Sequence, residues 1–373
     1  MKVPFVDLKA QYRTIKPEID AAIQSVINEA AFIHGRHVEK FEKAFARMYE
    51  GGFCISVANG TDALYITLKA LGIGRGDEVI TVANSWISTS EAITQTGARP
   101  VFVDIEPEYY TIDASKIIHK ITPKTKAVIP VHLYGQSAEI DAIQRICLKH
   151  GLYLVEDCAQ AHFVEYKGQK VGTFGVAGTF SFFPGKNLGA YGDAGAIITH
   201  DKSFALRARM YANHGALQKH FHQIEGINSR MDGIQAAILN VKLPHIHEWN
   251  LLRAGYAKRY SRLLKGIDAI RTPQLCTDTN HIFHLYVIRC KDRENLRAFL
   301  ESQGVSTGIH YPTILPLLPA YKYLQHVPED FPTASDYQNQ ILSLPMYPEM
   351  GKNRVEYVAT QIKTYYSGKQ YTG

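Results

Sequence analysis

The chain has 373 residues, 46% of them hydrophobic and 20% charged, with a formal net charge of +6. That composition is ordinary for a soluble globular protein, and a length beyond the roughly 250–300 residues at which a single core stops growing predicts one large and one smaller domain. The positive charge is not gathered into a basic block with interleaved aromatics, which argues against a nucleic-acid binder and suits an anionic small molecule.

The opening MKVPFVDLKAQYRTIKPEID alternates charged and apolar residues and has no continuous apolar core, so it does not read as a signal peptide. No run approaches the ~18 apolar residues of a membrane span. Five cysteines, Cys54, Cys147, Cys158, Cys276 and Cys290, are odd in number and lack CxxC spacing. That disfavours a disulfide framework or a zinc site and predicts a reducing, cytoplasmic location with no metal.

After Asn59-Gly60-Thr61 a helix is expected, with Leu64, Leu68 and Leu71 on one face. Short β-branched runs follow at residues 78–82, 101–103 and 127–131. A helix is marked by Ile140, Ile143 and Cys147, and a strand by residues 152–155. Strands alternating with helices predict an α/β fold, a mostly parallel sheet flanked by helices on both faces. Beyond residue 200 the pattern turns helical. A long stretch over 229–265 is broken near Pro244, a strand ends at Cys290, and helices follow at 292–303 and 353–366. The predicted division is a large domain over 1–250, whose N-terminal segment packs on the other domain, and a small α+β domain over 251–373. The closing SGKQYTG is expected to be a loose tail.

Four features carry chemistry. Asp157 closes the strand LYLVED, and ligands of open α/β sheets bind beyond the carboxyl ends of strands. A carboxylate there can hold a pyridinium nitrogen protonated, although an isolated strand-end Asp is more often a loop cap. Lys186 lies in the Gly- and Pro-rich turn of FSFFPGKNLGAYGDAGAI. A partly buried lysine beside a cationic ring loses its proton easily, as an imine-forming nucleophile must, whereas an ordinary turn lysine is only solvated. Gly60 and Thr61 open a helix whose N–H groups form a phosphate site, with Ser181 as a second hydroxyl; the alternative is a plain N-cap. Trp86, after a strand end, is placed either to stack on a flat ring or to fill the core. Their order along the chain is the one that pyridoxal phosphate chemistry on such a scaffold requires.

The blocks FVDLKAQY, NGTDAL, GDEVIT, EDCAQAH, FSFFPGKNLGAYGDAGA, NSRMDGIQAAIL, GIHYP and LSLPMYP together resemble the DegT/StrS-type nucleotide-sugar aminotransferases, over about residues 3–348. The resemblance implies a fold type I enzyme dependent on pyridoxal 5'-phosphate, acting as a homodimer with shared active sites. It implies that Lys186 forms the Schiff base and moves protons, and that Asp157 pairs with the ring nitrogen. Gln160 would lie against the ring or its hydroxyl and Trp86 would stack on it. Gly60, Thr61 and Ser181 would hold the phosphate, joined by Asn228 from the partner subunit. His310 and Tyr311 match a segment that contacts the nucleotide-sugar, again from the partner, and Arg230 is structural or faces the same ligand. His162 and Tyr134 lie near matched blocks. Cys158 stands where many relatives carry an alanine-like residue, a tolerable change for a small apolar side chain.

The expected reaction is amino transfer from L-glutamate to a nucleotide-linked keto-sugar, dTDP- or UDP-linked and ketonic at C-3, with C-4 as the alternative. Its product would serve lipopolysaccharide, O-antigen or another glycoconjugate. A branch of the family with histidine in place of the lysine dehydrates its substrate instead, and Lys186 favours transamination. A non-catalytic sugar-binding regulator is disfavoured by the intact Lys186 and Asp157. A nicotinamide oxidoreductase is disfavoured because the glycine cluster Gly72-Ile73-Gly74-Arg75-Gly76 follows a helix and has the wrong spacing. The segment His214 to His222 reads as a solvated loop in preference to a sugar contact.

Overall fold

The computed structural model describes residues 1–368. Its centre is a seven-stranded sheet in the order Phe53–Val57, Gly195–Thr199, Ala177–Ser181, Tyr153–Asp157, Thr125–Ile129, Glu78–Val82, Arg99–Val103. Gly195–Thr199 runs antiparallel to both of its neighbours, and the other strand pairs are parallel. The sheet is mixed but mostly parallel, as the α/β expectation has it. The parallel strands are buried on both faces, as their near-continuous apolar runs require. On one side the helices Gly60–Ala70, Ser88–Gln95 and Lys202–Ala212 pack through Leu64, Leu68, Ile93 and Phe204. On the other, Arg36–Met48 inserts Phe41 and Phe45, and its C-cap Tyr49, against Phe180 and Phe182.

The break near Pro244 is a short 3-10 turn, Leu243–His245, between the helices Gly233–Lys242 and Ile246–Leu264. Pro244 sits in the first turn after the break, where its missing N–H leaves no helical bond unmade. Ile246–Leu264 leads into a second core. There a three-stranded antiparallel sheet, Ile270–Arg271, Tyr286–Cys290 and Ile341–Leu344, carries the helices Arg293–Ser302 and Gly351–Ser367. Val3 belongs to this second core, held by Val3 N–H to the Gly304 carbonyl at 2.8 Å and Ser306 N–H to the Val3 carbonyl at 3.0 Å.

The two cores do not part at a single point near residue 250. Ile314, Leu315, Tyr321, Phe331 and Ala334 return to the first core, and the carboxylate of Asp104 accepts the N–H groups of Thr333 and Ala334 at 3.1 and 2.9 Å. The segment His214 to His222 is an exposed hairpin, not an open loop: Ala216–Gln218 pairs with Phe221–His222. Ser367 ends the last helix and Gly368 caps it, its N–H donating to the Thr364 carbonyl at 3.1 Å; the rest of the expected tail lies outside the described residues. Among the described residues no helix is long and apolar enough to cross a membrane.

Candidate active site

A cavity of about 580 Å³ opens at the carboxyl ends of the parallel strands. Gly60, Thr61, Trp86, Asp157, Gln160, Ser181, Lys186, His310 and Tyr311 all line it, so most of the residues singled out from the sequence meet in one place.

Asp157 is buried at the end of its strand. Its Oδ1 accepts the Ala159 N–H at 3.1 Å and its Oδ2 the Thr89 hydroxyl at 2.8 Å. Burial raises its pKa above the usual aspartate value; those two hydrogen bonds and the charges of Lys186 and His132 act against the rise. Its neighbour Glu156 points the other way, as alternation along a strand demands. There Glu156 accepts N–H groups from Gly172, Phe174 and Gly175 at 2.6, 2.8 and 2.8 Å and meets His132 Nε2 at 3.1 Å.

Lys186 enters from the turn after Ala177–Ser181, where its own N–H is tied to the Phe183 carbonyl at 2.8 Å. Burial pulls its ammonium down from the lysine range to about 8, against the stabilising charge of Asp157. A lysine so placed reaches the neutral, nucleophilic form near physiological pH. The loop beyond it is pinned from below. Tyr191 N–H donates to Gln235 Oε1 at 2.9 Å, and the buried Lys242 donates to the Gly189 carbonyl at 2.7 Å.

The anion end is built by the start of the helix Gly60–Ala70. The Asn59 side chain takes the Asp62 N–H at 2.8 Å, which leaves the Gly60 and Thr61 N–H groups for a ligand at the positive end of the helix dipole. Thr61 Oγ1 lies 2.7 Å from Ser88 Oγ. A Cβ on Gly60 would fall 2.6 Å from Ser181 Cβ, so glycine alone brings this helix start against the Ser181 strand end. A phosphate-sized cradle, a carboxylate and a lysine of lowered pKa in one cavity fit pyridoxal phosphate by donor type at each end.

Trp86 is not a core residue: it is 58% exposed, and its ring lies 5.7 Å from that of Tyr311 at 45°. Gln160 is held by Tyr134 N–H donating to its Oε1 at 2.7 Å, and its Nε2 donates to Tyr311 Oη at 3.0 Å. The Tyr134 hydroxyl in turn donates to the His310 carbonyl. His310 and Tyr311 therefore line this chain's own cavity, and the expectation that they arrive from a partner is corrected: Gly308 bridges to Ser343 of the second sheet, His310 Nδ1 lies 2.8 Å from Ser343 Oγ, and from Ile314 the chain returns to the first core. Asn228 and Arg230 do not line it. Asn228 is exposed, and Arg230 donates to Asn213 Oδ1 at 3.2 Å. His162 is wholly buried, its ring 5.8 and 5.6 Å from Phe180 and Phe182.

The family model of the DegT/DnrJ/EryC1/StrS aminotransferases matches residues 13–363. The chain belongs to that family. It is similar to the pleiotropic regulatory protein of Geobacillus stearothermophilus, 44% identical over 98% of this chain and 99% of that one. It is also similar to the dTDP-3-amino-3,4,6-trideoxy-alpha-D-glucose transaminase of Streptomyces venezuelae, 41% identical over 94% of this chain and 92% of that one. The crystal structure of S. venezuelae DesV in complex with a ketimine intermediate superposes with a TM-score of 0.96 at 40% identity, covering 98% of each chain. The aminotransferase is dependent on pyridoxal phosphate, and Lys186, Asp157, Gly60 and Ser181 line one cavity.

Thr89 and His284 are not among the residues that the sequence singles out. They sit in no local pattern; their partners are 68 and 97 residues away. Asn59 was visible in NGTDAL, where an asparagine before Gly-Thr marks an N-cap.

Proposed function

We propose that this aminotransferase moves the amino group of L-glutamate onto the C-3 ketone of a dTDP- or UDP-linked sugar, as a homodimer in the cytoplasm, for lipopolysaccharide, O-antigen or a related glycoconjugate. The observation that carries the reading is a lysine brought to about pKa 8 beside a buried carboxylate in one cavity. Bound there, the cofactor supplies an electron sink for breaking the Cα–H bond. Asp157 holds the proton on the ring nitrogen, braced by Thr89 and Ala159 N–H. Lys186 Nζ would take the proton from the amino-acid Cα and deliver it to the cofactor, and in the sugar half-reaction would carry a proton from the cofactor to the sugar carbon that receives the amine, as a base with a pKa near the working pH does best. Gln160 and Tyr311 close one side of the cavity as a hydrogen-bonded pair. Trp86 offers the ring face for stacking.

C-3 is preferred to C-4 because several relatives are named as 3-amino-sugar or 3-keto-sugar aminotransferases. The regulatory names of two other relatives favour a second reading, a sensor on the same scaffold; a regulator would have no need of the Lys186 and Asp157 pair. Asn228, absent from this chain's own cavity, is assigned to the phosphate of the partner's site, and Arg230 is either structural, through its bond to Asn213, or faces the nucleotide-sugar. The test is product analysis with L-glutamate against a panel of 3-keto and 4-keto dTDP- and UDP-sugars. A C-3 amino product is expected; no amination of any member would overturn the assignment, and amination only at C-4 would move it.

A further inference from the structure

His284 lines the same cavity as Lys186, and none of the roles above uses it. Its ring orientation is set by a chain of buried amides. Asn250 Nδ2 donates to the His162 carbonyl at 3.1 Å, so Asn250 Oδ1 is the acceptor for Asn187 Nδ2 at 2.8 Å. Asn187 Nδ2 also faces the Ile282 carbonyl at 3.3 Å, which fixes the second amide. Asn187 Oδ1 can then only accept, and it lies 3.1 Å from His284 Nδ1. Nδ1 must carry the ring proton.

The imidazole is neutral. Burial holds its pKa well below the usual histidine value, and Lys186, Arg253, His310 and His162 press the same way. Arg253 also ties down the backbone, its Nη1 donating to the Phe283, His284 and Met346 carbonyls at 3.3, 3.4 and 2.8 Å. With Nδ1 committed to Asn187, Nε2 of this cavity-lining ring keeps its lone pair, and no hydrogen bond among the described residues occupies it.

A fixed acceptor discriminates among ligands. The carboxylates of glutamate and the diphosphate of a nucleotide-sugar offer only acceptors, which a lone pair repels. The donors such substrates bring are the hydroxyl and acylamino N–H groups of the sugar ring and, beyond the diphosphate, the pentose hydroxyls and pyrimidine N3–H; His284 shares its cavity with Lys186, where the reacting sugar has to sit. The α-amino group of glutamate is committed to the cofactor. We propose that His284 Nε2 accepts a hydrogen bond from a hydroxyl or acylamino N–H of the keto-sugar, and that this contact serves the sugar half-reaction and not the amino-acid half-reaction. The inference rests on the keto-sugar reading above.

The two half-reactions of the holoenzyme are separable by cofactor absorbance: bleaching by L-glutamate, then recovery on adding the keto-sugar. His284→Phe is expected to keep the glutamate half within about threefold and to lose about tenfold or more in kcat/KM for the sugar half. His284→Gln, whose amide oxygen can accept, should recover part of that loss. In the wild type, one of a set of ring-deoxy or deacylated substrate analogues should show the same loss, and His284→Phe should not lower it further. Equal losses in both halves, or an unchanged sugar half, would overturn the proposal. If His284→Phe fails to fold, the analogue series with wild type and His284→Gln decides: no analogue affected, or all affected equally in both proteins, rejects it. A wild type bleached by glutamate but restored by no nucleotide keto-sugar would instead reject the substrate reading, and this inference with it.

Discussion

The Thr89 hydroxyl donates to Asp157 Oδ2 at 2.8 Å, and both side chains are buried. With Ala159 N–H on the other oxygen, it is one of two donors that keep a desolvated carboxylate ionisable against burial. Thr89→Val removes one of them and should lower kcat/KM by about tenfold. The sign on pH follows. Asp157 already has a raised pKa, loss of the donor raises it further, and a protonated Asp157 cannot pair with a protonated ring nitrogen. The acid limb of the kcat/KM profile should therefore move to higher pH, with Thr89→Ser close to wild type. An unmoved acid limb would show that Thr89 does not act through Asp157.

Lys186 makes the cofactor-free protein less stable than it would be without a charge there. In the unfolded chain its ammonium holds its proton to 10.5, and in the folded chain to about 8. The unfolded state binds more protons between those values, so this contribution to stability rises from pH 8 to 10.5, and the burial cost is carried in full below 8. Lys186→Met should have no turnover with the cofactor supplied, yet its cofactor-free form should have a higher denaturation midpoint than cofactor-free wild type at pH 7, with the gap narrowing toward pH 10. A variant less stable at pH 7 would mean the ammonium is better solvated in the folded chain than its burial implies.

What the sequence disclosed about the site was what lies in short local patterns. Lys186, Asp157 and the Gly60–Thr61 helix start each sit in a turn, a strand end or a cap that leaves a mark within a few residues. Thr89 and His284 leave none, because each depends on a partner supplied by a distant segment. The same holds for the fold. Alternating strands and helices were readable up to residue 200, but the antiparallel direction of the strand Gly195–Thr199 was not. The return of residues 314–334 to the first core has no periodic signal, and with it the placing of His310 and Tyr311 in this chain's own cavity was out of reach. In the pair Glu156-Asp157 the sequence shows two adjacent acids; only the sheet tells which faces the cavity.

Gly60 is predicted to be irreplaceable for the cofactor's phosphate. A Cβ there would lie 2.6 Å from Ser181 Cβ and 3.2 Å from its Oγ, between two elements that cannot both give way. Gly60→Ala should fold, since the helix gains a better former, but should weaken pyridoxal phosphate binding by about tenfold or more through a displaced cradle. Gly185→Ala is the control: its added methyl meets nothing nearer than 3.7 Å, although it adjoins Lys186. Absorbance titrations of the two variants giving the same dissociation constant would exclude the cradle from phosphate binding.

Glu156 is predicted to be structural in spite of standing beside Asp157. Its two oxygens accept three backbone N–H groups from the turn Gly172–Gly175, and Oε2 also meets His132 Nε2. Such a carboxylate is built into the chain path between Tyr153–Asp157 and Ala177–Ser181. Glu156→Gln would turn an NH2 group toward one set of those donors and leave a buried N–H without an acceptor, at a cost of about 3 kcal/mol. The expected readout is a lower denaturant midpoint in holo and cofactor-free protein alike, with kcat of the folded fraction within about threefold of wild type. A large fall in kcat at unchanged stability would mean that Glu156 acts on the reaction through the strand it shares with Asp157, and would make the pair a functional unit.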